Sequence, residues 1–142
     1  MKKTILVMAM VLLAQLSFAQ AWNGKGDQKV QIGLSAWGYG SGLSGTYDYG
    51  VSNAISIGAG AHFYFSKNQN EGFFLFGRGN YHLQDVLNLP DEWDIYPGLD
   101  LGVLGNTFGL GAHIGVRYFF TPKIGAFAEI GNNGGIGLSI NL

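Results

Sequence analysis

The chain has 142 residues, a formal net charge of −1 and no cysteine; charged side chains make up 12%, aromatics 14%, and 24 residues are glycine. That length holds one domain. The missing thiols exclude disulfide staples and cysteine metal sites, the lack of a basic cluster argues against nucleic-acid binding, and the charged share is about half that of an ordinary soluble domain.

The first element is a leader. Lys2 and Lys3 precede an apolar run from Ile5 to Ala14, and Leu16-Ser17-Phe18-Ala19 ends on a small residue. Positive, then apolar, then small is the layout of a secretory signal, with cleavage expected after Ala19 or, as the second choice, Ala21. The run is shorter than the roughly 20 residues a spanning helix needs. The chain therefore divides into a signal peptide, 1–19, and one domain, 20–142. Without Lys2 and Lys3 the domain carries six basic and nine acidic side chains. An exported chain without cysteine is held by packing and hydrogen bonds alone.

Beyond the leader the dominant signal is a period of two. In residues 110–118, Leu110, Ala112, Ile114, Val116 and Tyr118 alternate with Gly111, His113, Gly115 and Arg117, the pattern of a strand with one apolar and one polar face. Eight such segments are predicted, at 29–39, 43–49, 54–65, 72–82, 94–104, 107–119, 124–130 and 135–142. Several reach the 9–11 or so residues of a tilted membrane strand. Tight turns are expected at Gly40-Ser41-Gly42, Gly50-Val51-Ser52-Asn53, Gly105-Asn106, Thr121-Pro122-Lys123 and Gly131-Asn132-Asn133-Gly134, from their glycine, asparagine and proline content. Residues 66–71 read as a polar loop. Residues 83–93 form the longest link; a helical turn is expected there, packed beneath the barrel mouth on Leu83, Val86, Leu87 and Trp93. Pro97 falls inside the fifth segment and cannot donate to a ladder, so a bulge, or a strand beginning after it, is expected.

The two faces differ in kind. One carries Val30, Ile32, Leu34 and Ala36, then Ile55, Ile57, Ala59, Ala61 and Phe63, and so on to Ile136, Leu138, Ile140 and Leu142. The other carries Gln31, Gly33, Ser35 and Trp37, Phe74, Phe76, Arg78 and Asn80, and Asp94, Tyr96, Gly98 and Asp100. A solvated outer surface would hold many more charges. Glycine, small and aromatic residues with a few ions instead suit the cramped interior of an eight-stranded barrel. The sequence thus predicts an all-β fold: an eight-stranded antiparallel up-and-down transmembrane β-barrel after a cleaved signal peptide, its apolar face towards lipid. Inside, Arg78 and Arg117 are expected to meet some of Glu129, Asp100 and Asp48, because an unpaired interior charge costs several kcal/mol. Tyr47, Tyr49, Tyr81, Tyr118 and Phe120 end strands that run the same way and would form an aromatic girdle at one rim.

The stretches Tyr49-Gly50-Val51-Ser52-Asn53-Ala54-Ile55-Ser56-Ile57-Gly58, Arg78-Gly79-Asn80-Tyr81-His82, Ile95-Tyr96-Pro97-Gly98-Leu99-Asp100-Leu101-Gly102, Gly115-Val116-Arg117-Tyr118-Phe119-Phe120 and Ala126-Phe127-Ala128-Glu129-Ile130-Gly131 follow one another in an order and spacing that resembles the small porin-like outer-membrane β-barrel proteins of Gram-negative bacteria, especially the glycine-rich Bacteroidetes kind. The resemblance covers the whole domain. It implies residence in the outer membrane, contact with membrane lipid, and a last strand read by the outer-membrane insertion machinery through Gly137, Ile140 and Leu142. The family usually ends on an aromatic residue, and Leu142 departs from that.

Chemistry is sparse. His62 and His113 share the inner face with Asp100, Ser35 and Ser56; hydrogen-bonded filling is the expected role, and general-base chemistry the minor one. His82 is expected at the rim. No His-x-x-x-His spacing or cofactor motif occurs, and no helix pattern follows Gly109-Leu110-Gly111 or Gly131-Asn132-Asn133-Gly134-Gly135 to make a phosphate loop. The expected function is a structural or interaction role for a barrel with a filled polar interior and no wide pore, and no enzymatic activity. The alternatives are a secreted soluble barrel that binds a small ligand, and a lipid-modifying outer-membrane enzyme with a triad near the lipid-facing rim.

Overall fold

A computed structural model describes residues 1–16, 19–37, 40–65 and 72–142. The first element is α1, Lys2–Leu16; among the described residues no helix is long and apolar enough to cross a membrane. Eight strands follow: β1 Gln28–Trp37, β2 Gly42–Gly50, β3 Ile55–Tyr64, β4 Phe73–Tyr81, β5 Trp93–Leu104, β6 Thr107–Phe119, β7 Ile124–Gly131 and β8 Gly134–Asn141. Each pairs antiparallel with the next in the chain, and β8 returns to β1, so the sheet closes as an up-and-down barrel. The expected segments coincide with these strands to within a few residues. The predicted loop at 66–71 and the end of the first segment, 38–39, lie outside the described residues.

Turn chemistry sets the hairpins. Between β5 and β6 the link is Gly105-Asn106, with Leu104 paired to Thr107 and Gly105 at φ +58°. A positive φ at the first of two loop residues matches the right-handed twist of the flanking strands, and glycine adopts it without steric penalty. At Thr121-Pro122-Lys123 the Thr121 hydroxyl accepts from the amides of Lys123 and Ile124 at 3.2 and 2.9 Å, a side-chain turn of the kind threonine supports.

Alternation then sorts the side chains. Ile32, Leu34, Ile57, Phe63, Leu75, Leu99, Leu110, Ile114, Ile130 and Leu138 are all exposed on the outer wall, whereas Gln31, Asp48, Arg78, Asp94, Arg117 and Glu129 are buried. Tyr47, Tyr49, Tyr81, Trp93 and Phe120 stand exposed at the end where β1 begins, and Tyr118 packs between Trp93 and Phe120 with ring centroids 4.8 and 5.9 Å away.

Three local expectations are corrected. The register of β1 against β8 shifts between Ser35 and Trp37. This bulge re-aims the strand end, so Trp37, expected inside, is exposed beside Ala36. Pro97 produces neither a bulge nor a strand start: it pairs with Ile114 within an unbroken β5–β6 register. The β4–β5 ladder ends at Gly98. Ile95, of the same parity as Pro97, gives its carbonyl to the Leu83 amide on the β4 side. The missing donor of Pro97 therefore faces Tyr81 of β4, in the register that pairs Asn80 with Gly98 and bonds Leu83 to Ile95, so the proline costs one bond to β4 without a bulge.

Residues 83–93 are the third correction. The expected helical turn is present as a single Leu87 N to Leu83 O bond, followed by Asn88 at φ +51°, but the side it packs on differs. Val86, Leu87 and Trp93 point outward and are exposed. The side turned to the barrel is polar: the Gln84 amide donates to the carbonyls of Asp91 and Trp93 at 3.0 and 2.9 Å. Buried carbonyls of an irregular loop need donors, and one glutamine side chain supplies them where leucine could not.

Candidate functional site

The lumen is packed at three levels. At the end away from the termini, Tyr64, Phe74, Phe76 and Leu104 form a buried apolar cluster. His62 stacks 5.1 Å from Phe76, and the Tyr64 hydroxyl donates to Asn133 Oδ1 at 3.0 Å.

The middle level is ionic. Arg78 Nε and Nη2 donate to the two Asp48 oxygens at 2.9 and 3.0 Å, and Nη2 also to Glu129 Oε1 at 2.9 Å. Arg117 donates to Asp48 Oδ2 at 3.1 Å, to Asp94 Oδ2 at 3.0 Å and to Gln31 Oε1 at 2.6 Å. Tyr96 lies between the two guanidiniums: the Arg117 Cζ is 4.0 Å from its ring centroid and its hydroxyl donates to Glu129 Oε1 at 2.7 Å. Cations over the ring face and an acceptor at the hydroxyl satisfy every part of this tyrosine. It fits because Gly115 leaves room; a Cβ there would stand 2.2 Å from Tyr96 Cζ.

Asp100 does not join the arginines, although it stands opposite Arg78 in the strand register. Its Oδ2 bonds His113 Nδ1 at 2.8 Å. The members that strand alternation did not pair with the arginines are Asp94, Gln31 and Tyr96. Their inward parity was legible, but which residues meet across the lumen depends on the stagger of the closed barrel.

The third level lies at the mouth beside the termini. His82 is buried there instead of standing at the rim. Its Nδ1 is 2.8 Å from Asp94 Oδ2 and its Nε2 2.8 Å from Ser56 Oγ. Asn80 Nδ2 donates to the same Oγ at 3.2 Å, while Asn80 Oδ1 is 2.7 Å from His113 Nε2. Burial lowers the His82 pKa below its ordinary 6.5, with the Asp94 carboxylate opposing the shift. The signal for His82 was present: it continues the inward parity of Arg78 and Asn80 by one more step.

Residues between α1 and β1 close this mouth. The Trp22 ring stacks on His82 with centroids 3.5 Å apart and 7° between planes, and its Nε1 donates to the Asn53 carbonyl at 2.7 Å. Ala21 N donates to Asp91 O at 2.7 Å. Lys29 pairs with Asp27, its ammonium 5.4 Å from the Phe119 ring centroid. Outside this cap is a polar cleft lined by Asn23, Asn53, Gln84, Asp85 and Asn88. Among the described residues no group of three histidine, aspartate or glutamate side chains could hold a metal. Gly137 lies in the middle of β8, Ile140 near its end and Leu142 just beyond it: Gly137 is packed so closely on β1 that a Cβ would meet Ile32 O at 2.2 Å, and Leu142 is exposed.

An apolar outer wall around a packed ionic lumen defines the class: a closed eight-stranded up-and-down barrel turned inside out relative to a water-soluble core. The chain belongs to the family described as "Family of unknown function (DUF6646)", whose model matches residues 12–136. No curated protein sequence matches the chain. Among solved structures it is similar to a barrel described under "De novo design of transmembrane beta-barrels", with 18% identity and a TM-score of 0.69 over 85% of this chain and 99% of that one. It is also similar to the N-terminal β-barrel domain of Pseudomonas aeruginosa OprF, with 14% identity and a TM-score of 0.61 over 84% of this chain and 100% of that one. At these identities the likeness is one of fold.

Proposed function

We propose that the chain is exported by residues 1–19 and inserts as a small outer-membrane β-barrel of the Gram-negative type, with a structural or interaction role and no wide pore. The observation that carries this is the inversion of the two faces: large aliphatic and aromatic side chains ring the outside of the barrel, while Arg78, Arg117, Asp48, Asp94 and Glu129 are inside. In water this arrangement would expose a continuous apolar surface far beyond what soluble monomers carry. Lipid reverses the cost. From Trp93 to Val103 on β5, at roughly 3.3 Å per residue and a tilt of about 40°, the wall rises about 25 Å, the height of an outer-membrane apolar band. The aromatic rim at the mouth beside the termini supports the same reading.

The packed lumen supports a role other than bulk transport. A soluble ligand-binding barrel needs the opposite sorting of faces. A lipid-modifying enzyme needs its reactive groups at the lipid-facing rim, and Ser56, His82 and Asp94 face the lumen. Membrane lipid and the insertion machinery, the latter through Gly137, Ile140 and Leu142, are the proposed partners. Cell fractionation tests the reading: the protein is expected in the outer-membrane fraction, resistant to alkaline carbonate, released by detergent, and shifted in gel mobility on boiling. Recovery in the soluble fraction overturns it.

A further inference from the structure

We propose that Ser56, His82 and Asp94 form a latent serine nucleophile for acyl-ester chemistry, sealed in the barrel mouth by the segment that carries Trp22. Ser56 is the second residue of β3, Asp94 the second of β5, and His82 follows β4 directly. Three different strands thus bring the triad into the first layer of the lumen, immediately under the cap. The geometry is that of a nucleophile, a base and an orienting carboxylate, with both hydrogen bonds at 2.8 Å. Nδ1 faces a carboxylate and so carries the ring proton of the neutral imidazole, which leaves Nε2 to accept from the Ser56 hydroxyl. Arg117 Nη1, at 3.0 Å from the same Asp94 Oδ2, fixes that carboxylate in place. Asn80 stands beside both groups, one end of its amide 3.2 Å from Ser56 Oγ and the other 2.7 Å from His113 Nε2.

Nothing in the ionic level requires this serine, whose two side-chain partners are His82 and Asn80. The residue that separates it from the open end is Trp22, whose ring covers His82 and whose other side borders the polar cleft. Displacement of this one ring turns a buried triad into the floor of that cleft. The substrate class is a small carboxylic ester. Ser56 Oγ bonds to the carbonyl carbon as its proton passes to His82 Nε2; the bond to the alcohol oxygen breaks and the alcohol leaves with that proton. Water then attacks the acyl-serine by the same route, releasing the carboxylic acid and restoring the hydroxyl.

The test uses the full domain folded in detergent, with the boiling-dependent gel shift reporting an intact barrel, and a small alkyl fluorophosphonate as probe, followed by intact mass and peptide mapping. A phosphonyl adduct on Ser56 is expected to form about tenfold faster in Trp22→Ala than in the unaltered protein, as when opening of a closed state limits the rate. It is expected to be lost in Ser56→Ala and in His82→Ala. Access and reactivity are separated by Ser56→Cys, whose thiol is treated with a small methanethiosulfonate. A thiol that reacts in the Trp22→Ala background, while Ser56 in that background takes no phosphonyl group, overturns the proposal because the serine is reachable and inert. A thiol that stays unreactive there overturns it as well, because Trp22 is then not what seals the site. The lumen chemistry is read in detergent, so a negative result leaves the membrane reading standing.

Discussion

Glu129 shows how much one lumen residue holds. It accepts from Arg78, from the Tyr96 hydroxyl and from Gln31, the last at 3.1 Å. Glu129→Ala leaves a guanidinium short of one partner and a phenol without its acceptor, at a cost of about 3–5 kcal/mol. A clear fall in the urea midpoint of the detergent-folded barrel is the expected result, and an unchanged midpoint would remove the pairing from the account of stability. His82 governs a different dependence. Its folded pKa lies below the ordinary 6.5 chiefly because it is buried, so the unfolded chain binds the extra proton first as pH falls. Its contribution is fully present above about pH 6.5 and is lost towards the lower folded value. The urea midpoint should drop between neutral and mildly acidic pH, and His82→Gln should shrink that drop; an equal drop in both proteins would count against this assignment. At this scale inward parity was legible for Asp48, Arg78, Arg117 and Glu129. The bonding of Asp100 to His113 was not, because cross-lumen neighbours depend on a stagger that no local pattern records.

Strand-level features turn on steric fit. The Tyr96 ring lies over Gly115, so Gly115→Ala forces a ring that is anchored at its hydroxyl to move. A loss of about 1–3 kcal/mol is expected from such overpacking. The same change in a Tyr96→Ala background should cost much less, and a double-mutant cycle measures the difference; additive costs would mean that the clash is absorbed elsewhere. At the other end of the chain, deletion of 140–142 should block insertion, since it removes the end of the strand that closes on β1. A barrel with a normal boiling-dependent shift after this deletion would sink the insertion role given to Ile140 and Leu142. Pro97 and the link at 83–93 mark the limit of sequence reading here. Pro97 does interrupt the bonding to β4, but whether a proline forces a bulge or only removes one bond is decided by the paired strands, which local sequence does not record. The leucines at 83 and 87 were read as a packing face because apolar residues usually seek a core, whereas this loop borders an ionic lumen and gives its inward side to Gln84.

For the whole molecule, the lumen decides what can pass. Aromatic rings at one end, a double arginine network in the middle and the Trp22 cap at the other leave no continuous wide path among the described residues. Purified protein in a planar bilayer is therefore expected to give no porin-sized steady conductance, and large stepwise currents would contradict the filled interior. Closure itself was legible in the sequence through an even count of alternating segments joined by short turns. The cap was not, because residues 20–27 show no periodicity and gain their role only from the mouth they enter.

The pairing of β1 with β8 has a consequence for biogenesis. Lys29 lies against Asn141, so the seam joins residues from opposite ends of the domain and cannot form until the last strand has arrived. Until then any partly assembled sheet has two unpaired edges and an outward apolar face, each an invitation to aggregate. Contacts so distant in sequence also form slowly. On the proposed outer-membrane reading, the chain would need both edges covered, and one of them held in place, until the other comes round to meet it.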